Sequence, residues 1–466
     1  MKKKLVASLL LAGLLATSAQ AQAAPGPLTA QQQTFRAIYQ QLVEINTTHS
    51  AGDTTKAAQA MRERLLAAGF QADDVQVIAP FERKGNLVAR FKGTGKKKPL
   101  LLLAHIDVVE AKRSDWTTDP FILQEKDGYF TARGAVDDKA MAAAFISILA
   151  QLKTEGFKPE RDIIVALTGD EERGGVPSNG GRWLLENRRD LVDAEFGINE
   201  GGRGELKNGK PFVQILQIGE KSFVQAEFET SGPGGHSARP TPDNVIYNLT
   251  AALGRLQQYQ FPVRLNDAAR MYFERSAPLQ QGAVAADMRA VAQGTQDAAV
   301  FARLSQDANL VGLLRTTCVA TMVNAGHAPN ALAQSAKAIV NCRLLPDEQF
   351  AFVEAQLKAL GGDKVKVTVR AESEQAPSSP LRPDVMAAVE ALTAQMWPGV
   401  PVIPTMGVST TDSRLFRAVG IPMYGVSGLF VDPATVNAHG LNERIGVKEL
   451  YDGREFLYQL VKRLTR

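Results

Sequence analysis

Two short apolar runs and a third strand-like segment, each broken off by residues that bind metals or move protons, constrain this chain more than any other feature. Residues 100–103 run into His105-Ile106-Asp107, residues 163–167 into Thr168-Gly169-Asp170-Glu171-Glu172, and residues 194–197 into Asn199-Glu200-Gly201-Gly202. A continuous apolar run of this length suits a strand buried on both faces, as in a parallel sheet covered by helices. In open sheets of that kind, ligands bind beyond the carboxyl ends of the strands. The three polar clusters are therefore expected to converge on one place.

Helical patterns separate the runs. Residues 31–43 read as one helix and 54–68 as another, the second with Ala58, Met61, Leu65 and Ala68 at helical spacing and Gly69 as its stop. A third, made of small apolar residues, covers 140–152. This alternation predicts an α/β fold, a mixed and mostly parallel sheet with helices on both faces. Near Lys221 the pattern changes. Strand-like 222–230, helical 244–258, strands at 316–323 and 336–344, helical 347–360 and strictly alternating 364–370 give strand–helix–strand–strand–helix–strand, the ferredoxin-like order. The expected division is a catalytic domain in two parts, 24–221 and 375–466, with an α+β domain inserted at 222–374. A chain of 466 residues is comfortable for two cores. The Gln- and Ala-rich stretch 265–309 exceeds what such an insert needs and is assigned to the substrate channel or a subunit contact.

The N-terminus reads as a secretory signal, residues 1–23. Lys2, Lys3 and Lys4 precede an apolar run, 5–16, and then the small-residue site Ser18-Ala19-Gln20-Ala21. Cleavage after Ala21 or Ala23 fits, with retention as an uncleaved anchor as the alternative. The expected location is periplasmic or secreted, without membrane attachment after cleavage. The net charge of +4 includes the three signal lysines, so the mature chain is nearly neutral, which argues against nucleic acid or an anionic membrane as partner. The two cysteines, Cys318 and Cys342, rule out a disulfide scaffold. A disulfide between them and a pair of buried thiols are both open.

Chemistry concentrates at the strand ends. His105 and Asp107 lie two apart on an extended segment and so face one side, where the aspartate can orient a ligating imidazole. Arg133-Gly134-Ala135-Val136-Asp137-Asp138-Lys139 places two acids at a helix start, one strand–loop unit later. Alone they would be helix caps. Asp170, Glu171 and Glu172 are successive carboxylates, which repel unless a cation lies among them. One glutamate can bind an ion while its neighbour serves as general base. Glu200 ends the third segment, and His439, in Asn437-Ala438-His439-Gly440, supplies a second imidazole. His105, Asp137, Glu172, Glu200 and His439 thus form a candidate set for two zinc ions per subunit, and cobalt or manganese would accept the same donors. No His-Glu-x-x-His helix, Gly-x-Ser-x-Gly elbow or phosphate-binding Gly-x-x-x-x-Gly-Lys loop competes with this reading.

The segments LLLAHIDVV, RGAVDDKA, TGDEE, NEGG, GPGGHSARP and NAHGLNE, in this order, resemble the co-catalytic zinc peptidases and deacylases. That family includes aminoacylase, glutamate carboxypeptidase, acetylornithine deacetylase and succinyl-diaminopimelate desuccinylase, and the nearest likeness is to its carboxypeptidase S-like branch. The resemblance covers the whole mature chain. It implies that Asp137 bridges two metals, with His105 and Glu200 completing one site and Glu172 and His439 the other. It further implies Glu171 as general base, Asp107 as the partner of His105, and a cis peptide after Asp137. The insert would be a lid that also forms a homodimer. Its His236 would reach the partner subunit's site, while Asn330 and Arg343 would hold the substrate carboxylate. The implied reaction is hydrolysis of small dipeptides or N-acyl amino acids, as a carboxypeptidase or deacylase. Glu200, where family aminopeptidases tend to carry aspartate, weighs against an aminopeptidase. A peptide-binding protein without activity would have no use for Glu171. His49 and His327 lack a ligand context and read as structural. Two positions depart from the family's pattern: Ala140 replaces a usual glycine, and Asn341-Cys342-Arg343 replaces Asp-x-Arg, which leaves substrate preference open.

Overall fold

The structure is a computed structural model in which residues 27–466 are described; the segment read as a signal peptide, residues 1–23, lies outside them. A 10-stranded sheet organises the larger domain. Its centre is parallel: Ile163–Thr168 pairs with Leu100–His105, that strand with Phe196–Asn199, and the last with Met423–Gly425. Val75–Phe81 and Lys84–Phe91 extend one side antiparallel. On the other side lie Lys210–Glu220, Gly204–Lys207, Phe430–Val431 and Val402–Gly407. The sheet is mixed and mostly parallel, as the alternation predicted.

Why the apolar runs are continuous is visible in strand Leu100–His105. Leu100, Leu102 and Ala104 enter one buried cluster, with helices Ala30–Val43, Lys139–Thr154 and Val447–Leu464. Leu101 and Leu103 enter another, with Leu184, Leu415 and Phe416 on the opposite face. Side chains of a strand alternate in direction, so a strand covered on both faces has no polar positions to spare. Ala140, at the departure from the family's glycine, is buried in the first turn of its helix, where alanine is the best helix former.

The insert forms a separate four-stranded antiparallel sheet, ordered Thr317–Ala325, Ser335–Leu344, Ser222–Ser231, Lys366–Ala371. Helices Val245–Gln258 and Phe350–Gly361 cover one face around Phe228, Leu249, Val340 and Leu357. Cys318 and Cys342 face each other across neighbouring strands and form a disulfide. Among the described residues no helix is long and apolar enough to cross a membrane.

One part of the expected insert packs elsewhere. Helices Asp267–Ser276, Gly282–Ala292, Ala298–Leu304 and Ala308–Leu314 contribute Phe273, Met288, Phe301 and Leu314 to the larger domain's core. Arg275 fastens the first of them by donating to Glu390 (2.6 Å) and to the Val402 carbonyl (3.0 Å). Sequence order places the segment inside the lid, but its apolar helix faces find more surface to bury against strand Val402–Gly407 than the small lid sheet offers.

Candidate metal centre

The five segments that carry the predicted ligands do converge. His105, the last residue of its strand, is 3% exposed. Its Nε2 lies 3.0 Å from Asp137 Oδ1 and 3.8 Å from Glu200 Oε1. On the other side of Asp137, His439 Nε2 lies 3.1 Å from Oδ2 and 2.9 Å from Glu172 Oε1. Each oxygen of the Asp137 carboxylate thus faces a different imidazole. The ligand atoms of His105, Glu171 and Glu200 all lie within 4.8 Å of one another, as do those of His105, Asp137 and Glu172. The Asp137–Asp138 peptide is cis, as the resemblance implied.

The donor set fits divalent metal ions. Ligand atoms around a tetrahedral zinc ion lie about 3.3 Å apart, given bonds near 2.0–2.2 Å, and the imidazole–carboxylate separations bracket that spacing. Glu172 Oε1 and Asp138 Oδ2 are buried without a hydrogen-bond donor, the close His439 ring lacking the geometry to serve Glu172. Buried carboxylate oxygens without a donor are costly unless a cation faces them. Electrostatics agree. Burial, then the neighbouring charge of Asp412, holds the Glu171 carboxyl well above the usual range. Burial also raises Glu200, with Asp137 adding to the effect. The adjacent Asp137 and Glu172 carboxylates push His439 up to about 10. Burial alone would lower His105, but Asp107 and Asp137 outweigh it and raise it well above the ordinary imidazole value. The cluster is short of positive charge, which a pair of dications would supply.

Asp107 has a broader part than the one expected for it. His105 Nδ1 is 3.0 Å from the Asp107 carbonyl and 3.5 Å from its carboxylate. That carboxylate also accepts from the Glu171 and Glu172 amides, at 3.2 and 3.1 Å. One residue therefore orients an imidazole, chiefly through its carbonyl, and with its carboxylate holds the turn that carries two acids. The same turn is pinned from below by Asp170, fully buried at positive φ (57°). Asp170 accepts from Lys84 (2.9 Å) and Ser178 (2.5 Å), and its Oδ1 is 3.1 Å from His49 Nδ1. His49 is thus bound into the framework, whereas His327 is exposed in a loop of the insert.

Glu443 is a functional residue that sequence reasoning missed, although it closes the NAHGLNE segment. Its buried carboxylate accepts from the amides of Gly134 (3.0 Å), Val136 (2.7 Å) and Asp137 (3.0 Å) and from Arg133 Nη1 (2.8 Å). Arg133 in turn donates to the carbonyls of His439 (3.3 Å) and Gly440 (2.8 Å). The pair braces the Asp137 loop against the His439 loop across a separation of 306 residues in the chain. The only local signal was an acid four residues beyond a histidine, and such acids are common.

The lid residues stand apart. His236 is exposed on the short strand Gly235–His236, which pairs with Ala331–Leu332 beside Asn330; Ser237 N–H donates to the Asn330 carbonyl (3.0 Å). Arg343 is half-buried and stacks on Phe223, 4.8 Å from the ring centre. His236, Asn330 and Arg343 do not line the cavity of about 350 Å³ at the metal centre, whose walls include Asp137, Glu171, Glu200, Arg203, Thr410 and His439. A larger cavity, about 610 Å³, sits where the lid joins the larger domain and holds none of the predicted site residues.

Comparison with known proteins gives the same answer as the geometry. The sequence pattern of Peptidase family M20/M25/M40 matches residues 101–463. The chain is 26% identical over 375 residues to the mouse N-fatty-acyl-amino acid synthase/hydrolase PM20D1, covering 78% of this chain and 74% of that protein. It is 28% identical over 393 residues to probable carboxypeptidase S-like 2 of Dictyostelium discoideum, covering 81% and 74%. Among solved structures, the M20 family metallo-carboxypeptidase Sso-CP2 of Sulfolobus solfataricus shares the fold, with a TM-score of 0.70, 19% identity, and 93% and 99% of the two chains covered. The chain belongs to peptidase family M20/M25/M40 and is a metallopeptidase or amidohydrolase acting on peptide or linear amide bonds.

Proposed function

We propose that this enzyme hydrolyses the amide bond of small dipeptides or N-acyl amino acids, as a carboxypeptidase or deacylase, at a two-metal centre held by His105, Asp137, Glu172, Glu200 and His439. The observation that carries this reading is the Asp137 carboxylate, divided between two imidazoles with Glu171 beside it. The bound ions, zinc in this reading, supply polarisation of the scissile carbonyl and acidification of the attacking water. Glu171 accepts the water's proton and passes it to the leaving nitrogen. Asp107 and Asp170 keep the Glu171 turn in place, and the Arg133–Glu443 pair keeps Asp137 facing His439.

In this reading the enzyme is a homodimer. The partner subunit's His236 donates to the oxyanion, and Asn330 and Arg343 hold the carboxylate of the leaving amino acid. The exposure of His236 supports a role outside its own subunit. So does the edge strand Thr317–Ala325, where Val319, Met322 and Val323 are each more than half exposed. Export to an oxidising compartment is supported by the Lys-rich, apolar N-terminus and the Cys318–Cys342 disulfide. The test is a mass-spectrometric screen of metal-loaded protein against dipeptides and N-acyl amino acids. Cleavage confined to free-amine dipeptide amides would favour an aminopeptidase. Inertness across the panel would overturn the hydrolase reading.

A further inference from the structure

One wall of the metal cavity is not used by the metal chemistry. Arg203 is bonded into the sheet, its carbonyl accepting from Ile215 N–H at 3.0 Å. Gly204, the next residue, packs against the face of Phe430; a Cβ there would lie 2.4 Å from the ring. Neighbouring strand residues point to opposite faces. Arg203 and Glu205 accordingly turn the other way, into the cavity, beside Ile215, Leu429 and Val431.

Arg203 is the only lysine or arginine among the residues lining that cavity. The other arginines of this region are committed: Arg133 pairs with Glu443 and Arg417 with Glu220. The Arg203 guanidinium makes no ion pair or hydrogen bond among the described residues, although Glu205 shares its wall. It follows Glu200 by three residues, and three extended residues span about 10 Å at most. A group held by Arg203 therefore lies within a short chain's reach of the scissile carbonyl. The leaving amino acid is assigned above to Asn330 and Arg343 of the lid, so Arg203 is left to face the acyl half.

Resting on that reading, we propose that Arg203 is a specificity-determining residue that selects substrates whose acyl half carries a second carboxylate, such as a dicarboxylic N-acyl group or an acidic residue. A planar guanidinium holds a carboxylate through paired hydrogen bonds. A long alkyl acyl chain would instead cover the guanidinium, stripping its water and returning no partner, which is unfavourable. The cavity volume of about 350 Å³ also lies at the small end of the range for ligand sites, roughly 300–1,000 Å³. By this argument the chain departs in acyl preference from the relatives named for fatty-acyl substrates.

The experiment compares N-succinyl-, N-pentanoyl- and N-dodecanoyl-leucine as substrates of zinc-loaded mature enzyme. Wild type is expected to favour the succinyl over the pentanoyl compound in kcat/KM by about tenfold or more, the size of one charge-assisted hydrogen bond. Arg203→Gln should erase most of that ratio through KM, and Arg203→Lys should keep part of it. Arg203→Glu should move the preference to a β-alanyl group. A second readout is calorimetric binding of N-succinyl-leucine to Glu171→Gln protein, which should weaken about tenfold when Arg203→Gln is added. An unchanged succinyl-to-pentanoyl ratio in Arg203→Gln, or a wild-type preference for the dodecanoyl compound, would overturn the proposal. Wild-type protein that cleaves none of the three, nor any dipeptide, would overturn the amide-hydrolase reading beneath it instead.

Discussion

The metal end of the larger domain and the lid solve opposite problems. At the metal end five candidate ligands and a candidate base come from five loops spread along the chain, and their supports are buried. Asp107 holds the Glu171 turn, Asp170 is fully enclosed, and Glu443 receives four donors. The lid keeps a small core of its own but exposes His236 and the apolar side of its edge strand. Strained or charged groups persist where surrounding structure over-determines them. A group that serves another molecule must stay accessible. The metal end is built as a closed unit, whereas the lid leaves His236 and the apolar residues of its edge strand at the surface.

The largest expected effect separates chemistry from binding at the closed end. Glu171→Gln should lower kcat by about 10³-fold or more while metal content by mass spectrometry stays at wild-type level. Glu172→Ala should instead lose metal. Wild-type turnover in the Glu171 variant would break the assignment of base and ligand.

The next effect tests whether the lid acts across subunits. His236→Ala should cost about 10²–10³ in kcat with fold and metal retained, the scale of a lost oxyanion donor. Mixing His236→Ala with Glu171→Gln protein should restore activity, because a mixed dimer contains one site with both groups intact. No recovery after subunit exchange would confine His236 to its own subunit.

A smaller effect probes the brace. Glu443→Gln leaves Arg133 unpaired and gives some backbone amides a poorer acceptor. Metal affinity is expected to fall about 10–100-fold, as for other supports of ligating side chains, with a melting temperature lowered by loss of a buried pair. Unchanged metal affinity would show that the Asp137 loop holds its shape alone.

The smallest effect on turnover lies within the lid. Replacing Cys318 and Cys342 by alanine opens a link between positions 24 residues apart, worth about 3 kcal/mol of unfolding free energy by loop-closure entropy. It should lower lid stability in proteolysis or hydrogen exchange while leaving metal affinity unchanged. A fall in metal affinity would show the two regions to be mechanically coupled.

Much of this protein is legible in its sequence because the informative signals are local. Continuous apolar runs such as 100–103 announce strands buried on both faces, and a strand's end is where a ligand-type side chain becomes accessible. His105, Asp137, the acids of 170–172, Glu200 and His439 can therefore be grouped from their places along the chain, whereas the resemblance to a family is what separates Glu172 from Glu171. The strand–helix order of the lid is equally plain, since alternation at period two and spacing near 3.6 are properties of neighbouring residues. Tertiary structure decided what those periods cannot carry. It set Glu443 beneath Asp137 across 306 residues and gave Asp107 the Glu171 turn as well as His105. It seated the helices of 267–314 on the larger core and turned Arg203 into the cavity. Each of these depends on which distant surfaces meet and in what register. That is set by the summed burial of whole elements rather than by the pattern within any one of them.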